Sequence, residues 1–70
     1  MIRRETIEIL KFLYPKGTRV KLIQMDDPQA PPIGTEGTVF GVDDIGSILV
    51  SWDNGSTLNV IYGKDKCEKI

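Results

Sequence analysis

Seventy residues with a formal charge of −1, 40% of them apolar and 27% charged, are enough for one small folded domain and too few for a catalytic domain with a separate cofactor domain. The chain has no His, the commonest general base and metal ligand, and a single cysteine, Cys67, which cannot close an intramolecular disulfide. No apolar run approaches the roughly 20 residues of a membrane span, and Glu5, Glu8 and Lys11 interrupt the stretch where a signal peptide would carry its apolar core, so the expected location is the cytoplasm, with no membrane partner.

The spacing predicts a helix over residues 2–14. At 100° per residue, Ile2, Ile7, Ile9, Leu10, Leu13 and Tyr14 fall within an arc of about 160°, with Arg4, Glu8 and Lys11 opposite. Pro15 ends it, because the residue before a proline avoids the helical region. A strand is the competing reading. After Gly17 the period changes: Thr18, Val20 and Leu22 alternate with Arg19, Lys21 and Ile23, which predicts a strand. Asp26 to Gly34 carries Pro28, Pro31 and Pro32 and reads as a long stiff loop.

Residues 37–42 are predicted as the second strand, with Gly41 marking a bulge or bend. Ser47 to Trp52 is the third, with Ile48, Val50 and Trp52 on one face. Asn54-Gly55 predicts a tight type I′ turn into a fourth strand over residues 57–62, and residues 66–70 form a short fifth. Five short strands are most economically closed into a small barrel, which removes exposed edges. The expected core is Val20, Leu22, Val39, Val42, Ile48, Val50, Trp52, Leu58 and Val60, with Cys67 or Ile70 plugging one end.

Charge is unevenly distributed along the chain. Residues 1–24 are net +4, residues 25–63 net −6, and residues 64–70 net +1, which suggests two differently charged surfaces. The basic residues Arg3, Arg4, Lys11, Lys16, Arg19 and Lys21 could form a nucleic-acid footprint, although the acidic loops would repel the same polyanion. Asp26, Asp27, Asp43, Asp44 and Asp53 could be imagined as metal ligands or an acid–base pair. Their Pro, Gly and Asn neighbours favour turns, where Asp bonds its own backbone. Pro31-Pro32 could be a polyproline ligand or a loop stiffener, and Trp52 with Phe40 and Tyr62 a cage for a cation or simply core.

Three resemblances meet in residues 16–70. Lys16-Gly17-Thr18-Arg19-Val20 and Gly34-Thr35-Glu36-Gly37-Thr38-Val39 resemble the KOW motif of SH3-like barrels, some of which bind RNA. Trp52-Asp53-Asn54-Gly55-Ser56 followed by Tyr62-Gly63 resembles the Mind-bomb-type SH3-like barrel, which recognises protein tails; Val60-Ile61 stands where that family has Tyr-Arg. The run from Gly17 to Ile70 is similar throughout to a family of short bacterial proteins of unknown function, number 4314 among such domains. The likeness is carried by Met25-Asp26-Asp27-Pro28, Gly34 to Val39, Val42-Asp43-Asp44 and Val50 to Ser56. That resemblance implies firmicute genomes, phages and conjugative elements as carriers, and no activity.

The sequence therefore predicts a mainly β fold, a small five-stranded SH3-like barrel over residues 16–70 with an N-terminal α-helix over residues 1–15. The expected function is a non-catalytic protein-interaction or self-association module, without cofactor or metal, whose partner is another protein or a second copy in a homodimer. The alternative is a nucleic-acid-binding accessory protein using the basic N-terminal segment. If Ile48, Val50 and Trp52 point inward, then Leu49, Phe40, Ile61 and Ile23 point outward. The helix has an apolar arc that the barrel interior is not expected to accommodate. Ile7, Leu10, Leu13 and Tyr14 are therefore expected to dock on Ile23, Phe40, Leu49 or Ile61, within the chain or across a dimer.

Overall fold

The computed structural model describes residues 3–70. One helix, α1 (Arg4–Leu13), precedes five strands: β1 (Arg19–Gln24), β2 (Glu36–Val42), β3 (Ser47–Trp52), β4 (Val60–Ile61) and β5 (Lys66–Lys69). The sheet is antiparallel throughout, in the order β4-β3-β2-β1-β5, so the chain meanders through four strands and then returns to lay β5 beside β1. This is the strand order of an SH3-like barrel. The edges β4 and β5 approach each other without a hydrogen-bonded ladder, which leaves the barrel open along that seam.

Alternation sets the inward face as expected. Val20, Leu22, Val39, Ile48, Val50, Trp52 and Val60 are buried in one cluster, and Cys67 packs against it half-buried while Ile70 is exposed. Gly41 sits at a break in the β2–β3 register, where Val39 pairs with Val50 but Gly41 pairs with Leu49. The extra residue restores Val42 to the inward side, where it is half-buried.

One turn and one strand differ from the sequence expectation. Gly55 has φ +92°, but among the described residues no non-glycine has positive φ, so Asn54-Gly55 is not type I′. The Gly55 amide donates to the Trp52 carbonyl (3.0 Å) and the Trp52 amide to the Ser56 carbonyl (3.0 Å). That pattern is a three-residue turn closed by a left-handed glycine bulge, in which only the last position needs positive φ. The fourth strand shrinks from the expected residues 57–62 to Val60–Ile61. The Trp52 indole Nε1–H donates to the Leu58 carbonyl at 2.7 Å, holding residues 56–59 away from the ladder and leaving Leu58 half-buried.

Trp52 is 2% exposed, so it is core and not an open cage. Its neighbour across the ladder is Gly37. A Cβ built on Gly37 would stand 2.7 Å from Val50 Cγ1, 2.8 Å from Trp52 Cε3 and 3.0 Å from the Ser51 carbonyl oxygen. Gly37 is thus the space into which the indole packs.

Two of the five turn aspartates serve the backbone. Asp27 accepts from the Gln29 amide (2.7 Å), and Asp43 accepts from the amides of Ile45 (3.1 Å) and Ser47 (2.8 Å). Pro31 is buried, and the Pro32 carbonyl accepts from the Thr35 hydroxyl at 2.6 Å, so the Pro-Pro pair is built into its loop. Asp53 differs: Arg19 donates to both its carboxylate oxygens (2.9 and 2.6 Å) and also reaches Thr38 Oγ1 (2.9 Å) and Glu36 (3.4 Å). The Arg19 hydrogen bonds hold the Asp53 carboxyl below its usual range, and Asp53 in turn drives the guanidinium upward. Lys21 stands between Glu36 of β2 and Glu68 of β5. Basic and acidic segments of the sequence therefore interleave on the outer sheet face instead of forming two separate charged surfaces.

Replacing Gly37 by Ala is expected to cost about 1–3 kcal/mol through overpacking beneath Trp52. In a domain of this size that lowers the melting temperature by roughly 4–8 °C per kcal/mol. A thermal melt followed by circular dichroism checks it, and an unchanged midpoint would contradict the packing.

Candidate interaction surface

The helix forms where the periodicity places it, between Arg3 as an extended N-cap and Tyr14, whose amide donates to the Leu10 carbonyl (2.8 Å). Glu5 in the first turn and Lys11 in the last complement the helix dipole. Ile2, counted in the apolar arc, lies outside the described residues.

That arc divides in two. Ile7 and Leu10 are buried, and Tyr14 packs half-buried against the core. Ile9 and Leu13 are 56% and 40% exposed, and Phe12, on the far side of Ile9, is 83% exposed. The helix docks differently from the sequence expectation. Leu10 is a member of the barrel's own core cluster, beside the strand residues, rather than a rider on the outer sheet face. The interior accepts it because β4 is only two residues long and Val42 and Leu58 are not fully inside. The helix lies against β2 and reaches β5 through Tyr14, whose ring sits 5.5 Å below the Lys69 ammonium.

The expected docking residues scatter accordingly. Phe40 and Ile61 remain 49% and 42% exposed on the outer face, and Leu49 is half-buried. Ile23, 39% exposed, does meet the helix side: it lines a groove of about 550 Å³ with Leu13, Tyr14, Tyr62, Lys66 and Cys67. The groove runs between the end of α1 and the β4–β5 seam and is floored by Leu10, Ile48 and Val60. Leu13 belongs both to this groove and to the exposed helix stripe Ile9, Phe12, Leu13, whose i, i+3, i+4 spacing makes them surface neighbours. Groove and stripe are one apolar surface.

Within the groove, burial pushes the Cys67 thiol up to about 11. Burial, and then the neighbouring Cys67, raise the Tyr14 hydroxyl above its ordinary value. Asp65 is buried at the turn between β4 and β5, where its carboxylate accepts from the Ile61 amide at 3.0 Å. Among the described residues no group of three or more His, Cys, Asp or Glu is placed to hold a metal ion, and no helix is long and apolar enough to cross a membrane. The periodicity puts Phe12 off the packing arc, and that is the sequence signal for its exposure. The Asp65 anchor and the groove depend on the β4–β5 turn geometry, for which the sequence offers only Gly63-Lys64-Asp65.

No curated protein and no solved structure matches the chain. A family model described as Domain of unknown function (DUF4314) matches residues 3–70, so the likeness seen over the barrel extends through the helix. The match spans helix and barrel alike, and the chain belongs to the DUF4314 family.

Proposed function

We propose that this chain is a non-catalytic protein-interaction module acting through the exposed apolar surface of α1 and the adjoining groove, in the cytoplasm of a bacterium and encoded by its genome or by a mobile element it carries. The observation that carries the reading is Phe12, 83% exposed beside Ile9 and Leu13 on a helix whose other face is already fully used by the core. Stability does not call for an apolar stripe there, since the fold is complete without it; a contiguous exposed patch of this kind marks a binding surface.

Other features support a binding role over chemistry. The groove's thiol, Cys67, is raised by burial, the reverse of an activated cysteine. Its nearest polar surroundings include no His, because the chain has none. Two of the six basic residues of the N-terminal block, Arg19 and Lys21, face carboxylates across the sheet, which weighs against a phosphate footprint there.

A photo-crosslinking amino acid at position 12 of the full chain, introduced in producing cells, is expected to give discrete covalent adducts. The same probe at the exposed polar position Asn54 is expected to give none. Adducts of equal yield at both positions would contradict the reading. Cys67 is expected to react with a disulfide reagent far more slowly than free cysteine at pH 8, its rate climbing only as pH approaches about 11. A plateau reached near pH 9 would show an ordinary, unburied thiol.

A further inference from the structure

We infer that the free edge of β5 takes up an extended, acidic segment of a partner protein as an added strand, laid antiparallel to β5 in the groove beside α1. This rests on the interaction reading above and names its partner.

The backbone of β5 is only half used. The Ile70 amide donates to the Arg19 carbonyl (3.2 Å), and the register sets Glu68 opposite Lys21. Residues 66, 68 and 70 therefore turn their amides and carbonyls toward β1, and antiparallel alternation turns those of Cys67 and Lys69 the other way, toward the groove. Neither residue has a backbone partner there, because β5 is the last strand of the sheet. The far side of the seam is capped. The Ile61 amide donates to the Asp65 carboxylate (3.0 Å), and the Ile61 carbonyl accepts from the Asp65 and Lys64 amides (2.9 and 3.0 Å). Antiparallel pairing throughout also leaves β4 and β5 running in the same direction, so the seam cannot close on itself as an antiparallel ladder. A strand running against β5 keeps the alternation. An open edge of this kind is a template for another extended chain.

The side chains around the edge define what that chain carries. A residue paired with Cys67 points to the same face as Cys67, over the apolar floor of Leu10, Ile48 and Val60, and so is apolar. The rim is basic. Lys64, Lys66 and Lys69 are exposed, and among the described residues none of them forms an ion pair with a carboxylate. The neighbouring acids are engaged elsewhere: Asp65 holds the Ile61 amide, and Glu68 stands across the ladder from Lys21. In an antiparallel register, the residue after the apolar one lies opposite Lys66, and the residue two before it lies opposite Lys69. Charge complementarity places acids at both, giving the order acid, any residue, apolar, acid. The groove, about 550 Å³ and walled by Leu13 and Tyr14 on one side and Tyr62 on the other, takes a single strand and not the bulk of a second barrel.

Nuclear magnetic resonance on the full chain with synthetic peptides tests it. Peptides with the core Glu-Thr-Val-Glu, or with leucine or phenylalanine in place of the valine, are expected to slow exchange of the Cys67 and Lys69 amides. Methylating the backbone nitrogen of the apolar residue, which faces β5, is expected to weaken binding at least about tenfold; methylating that of the threonine, which faces away, is expected to leave it nearly unchanged. Lys66→Glu and Lys69→Glu are each expected to weaken the acidic peptides, and together to favour a peptide with lysine at both acidic positions. Both positions are exposed, so an unchanged melting temperature confirms that the variants are folded. Equal effects of the two methylations overturn the proposal, as does a failure of all three peptides to protect Cys67 and Lys69 at millimolar concentration. If those amides become protected only as the concentration of the chain itself rises, the occupant is a second copy and the acidic segment is wrong. If the peptides fail while the crosslinker at position 12 still gives discrete adducts, the interaction reading stands and this partner does not.

Discussion

A sheet with a two-residue fourth strand cannot enclose its own core, and the rest of this structure follows from how that deficit is met. The barrel is open between its edge strands, and Val42 and Leu58, which the alternation would send inward, are not fully buried. Leu10 supplies what the strands lack. It is 4% exposed within the same cluster as Val20, Leu22, Val39, Val50 and Trp52. Burial of a leucine stabilises by about 1.5–3 kcal/mol, a large share of what a domain of this size has to spare. A ten-residue helix is marginal alone, so helix and barrel stabilise each other.

Docking through Leu10, Ile7 and Tyr14 fixes the rotation of α1 and so fixes what it shows to solvent. Ile9, Phe12 and Leu13 have to face out once the opposite side is committed to the core. The groove beside them is the unclosed β4–β5 seam, floored by core residues and walled by the helix end. The structural shortfall and the candidate binding surface are thus one feature: a barrel that closed fully would need neither the helix nor the groove.

The strands and most of the core are legible in the sequence because each rests on local alternation. Val20 and Leu22, or Ile48, Val50 and Trp52, are in phase whatever the remainder of the chain does. The misreadings arise where a distant partner decides. The apolar arc of α1 is visible, but which part of it is buried depends on the width of the opening it plugs. Periodicity alone therefore assigns Ile9 and Leu13 to packing and Leu10 to the wrong surface. Leu58 alternates in phase with Val60, yet the Trp52 indole claims the Leu58 carbonyl and takes that stretch out of the ladder. Gly37 reads as an ordinary strand residue until the register sets it opposite Trp52. Arg19 and Asp53 are 34 positions apart, and only the β1–β2–β3 register brings them together. The bulge at Gly41 is readable because glycine inside a strand is itself a local signal.

Native-state hydrogen exchange of the full chain measures directly whether α1 is part of the barrel's core. If Leu10 completes the interior, the amides of Leu10 and Lys11 exchange only with global unfolding, at the same opening free energy as Val50 in β3. If those helix amides exchange orders of magnitude faster while β3 stays protected, α1 opens independently of the barrel. Leu10 would then not complete the core, and nothing would hold Ile9, Phe12 and Leu13 in a fixed outward orientation.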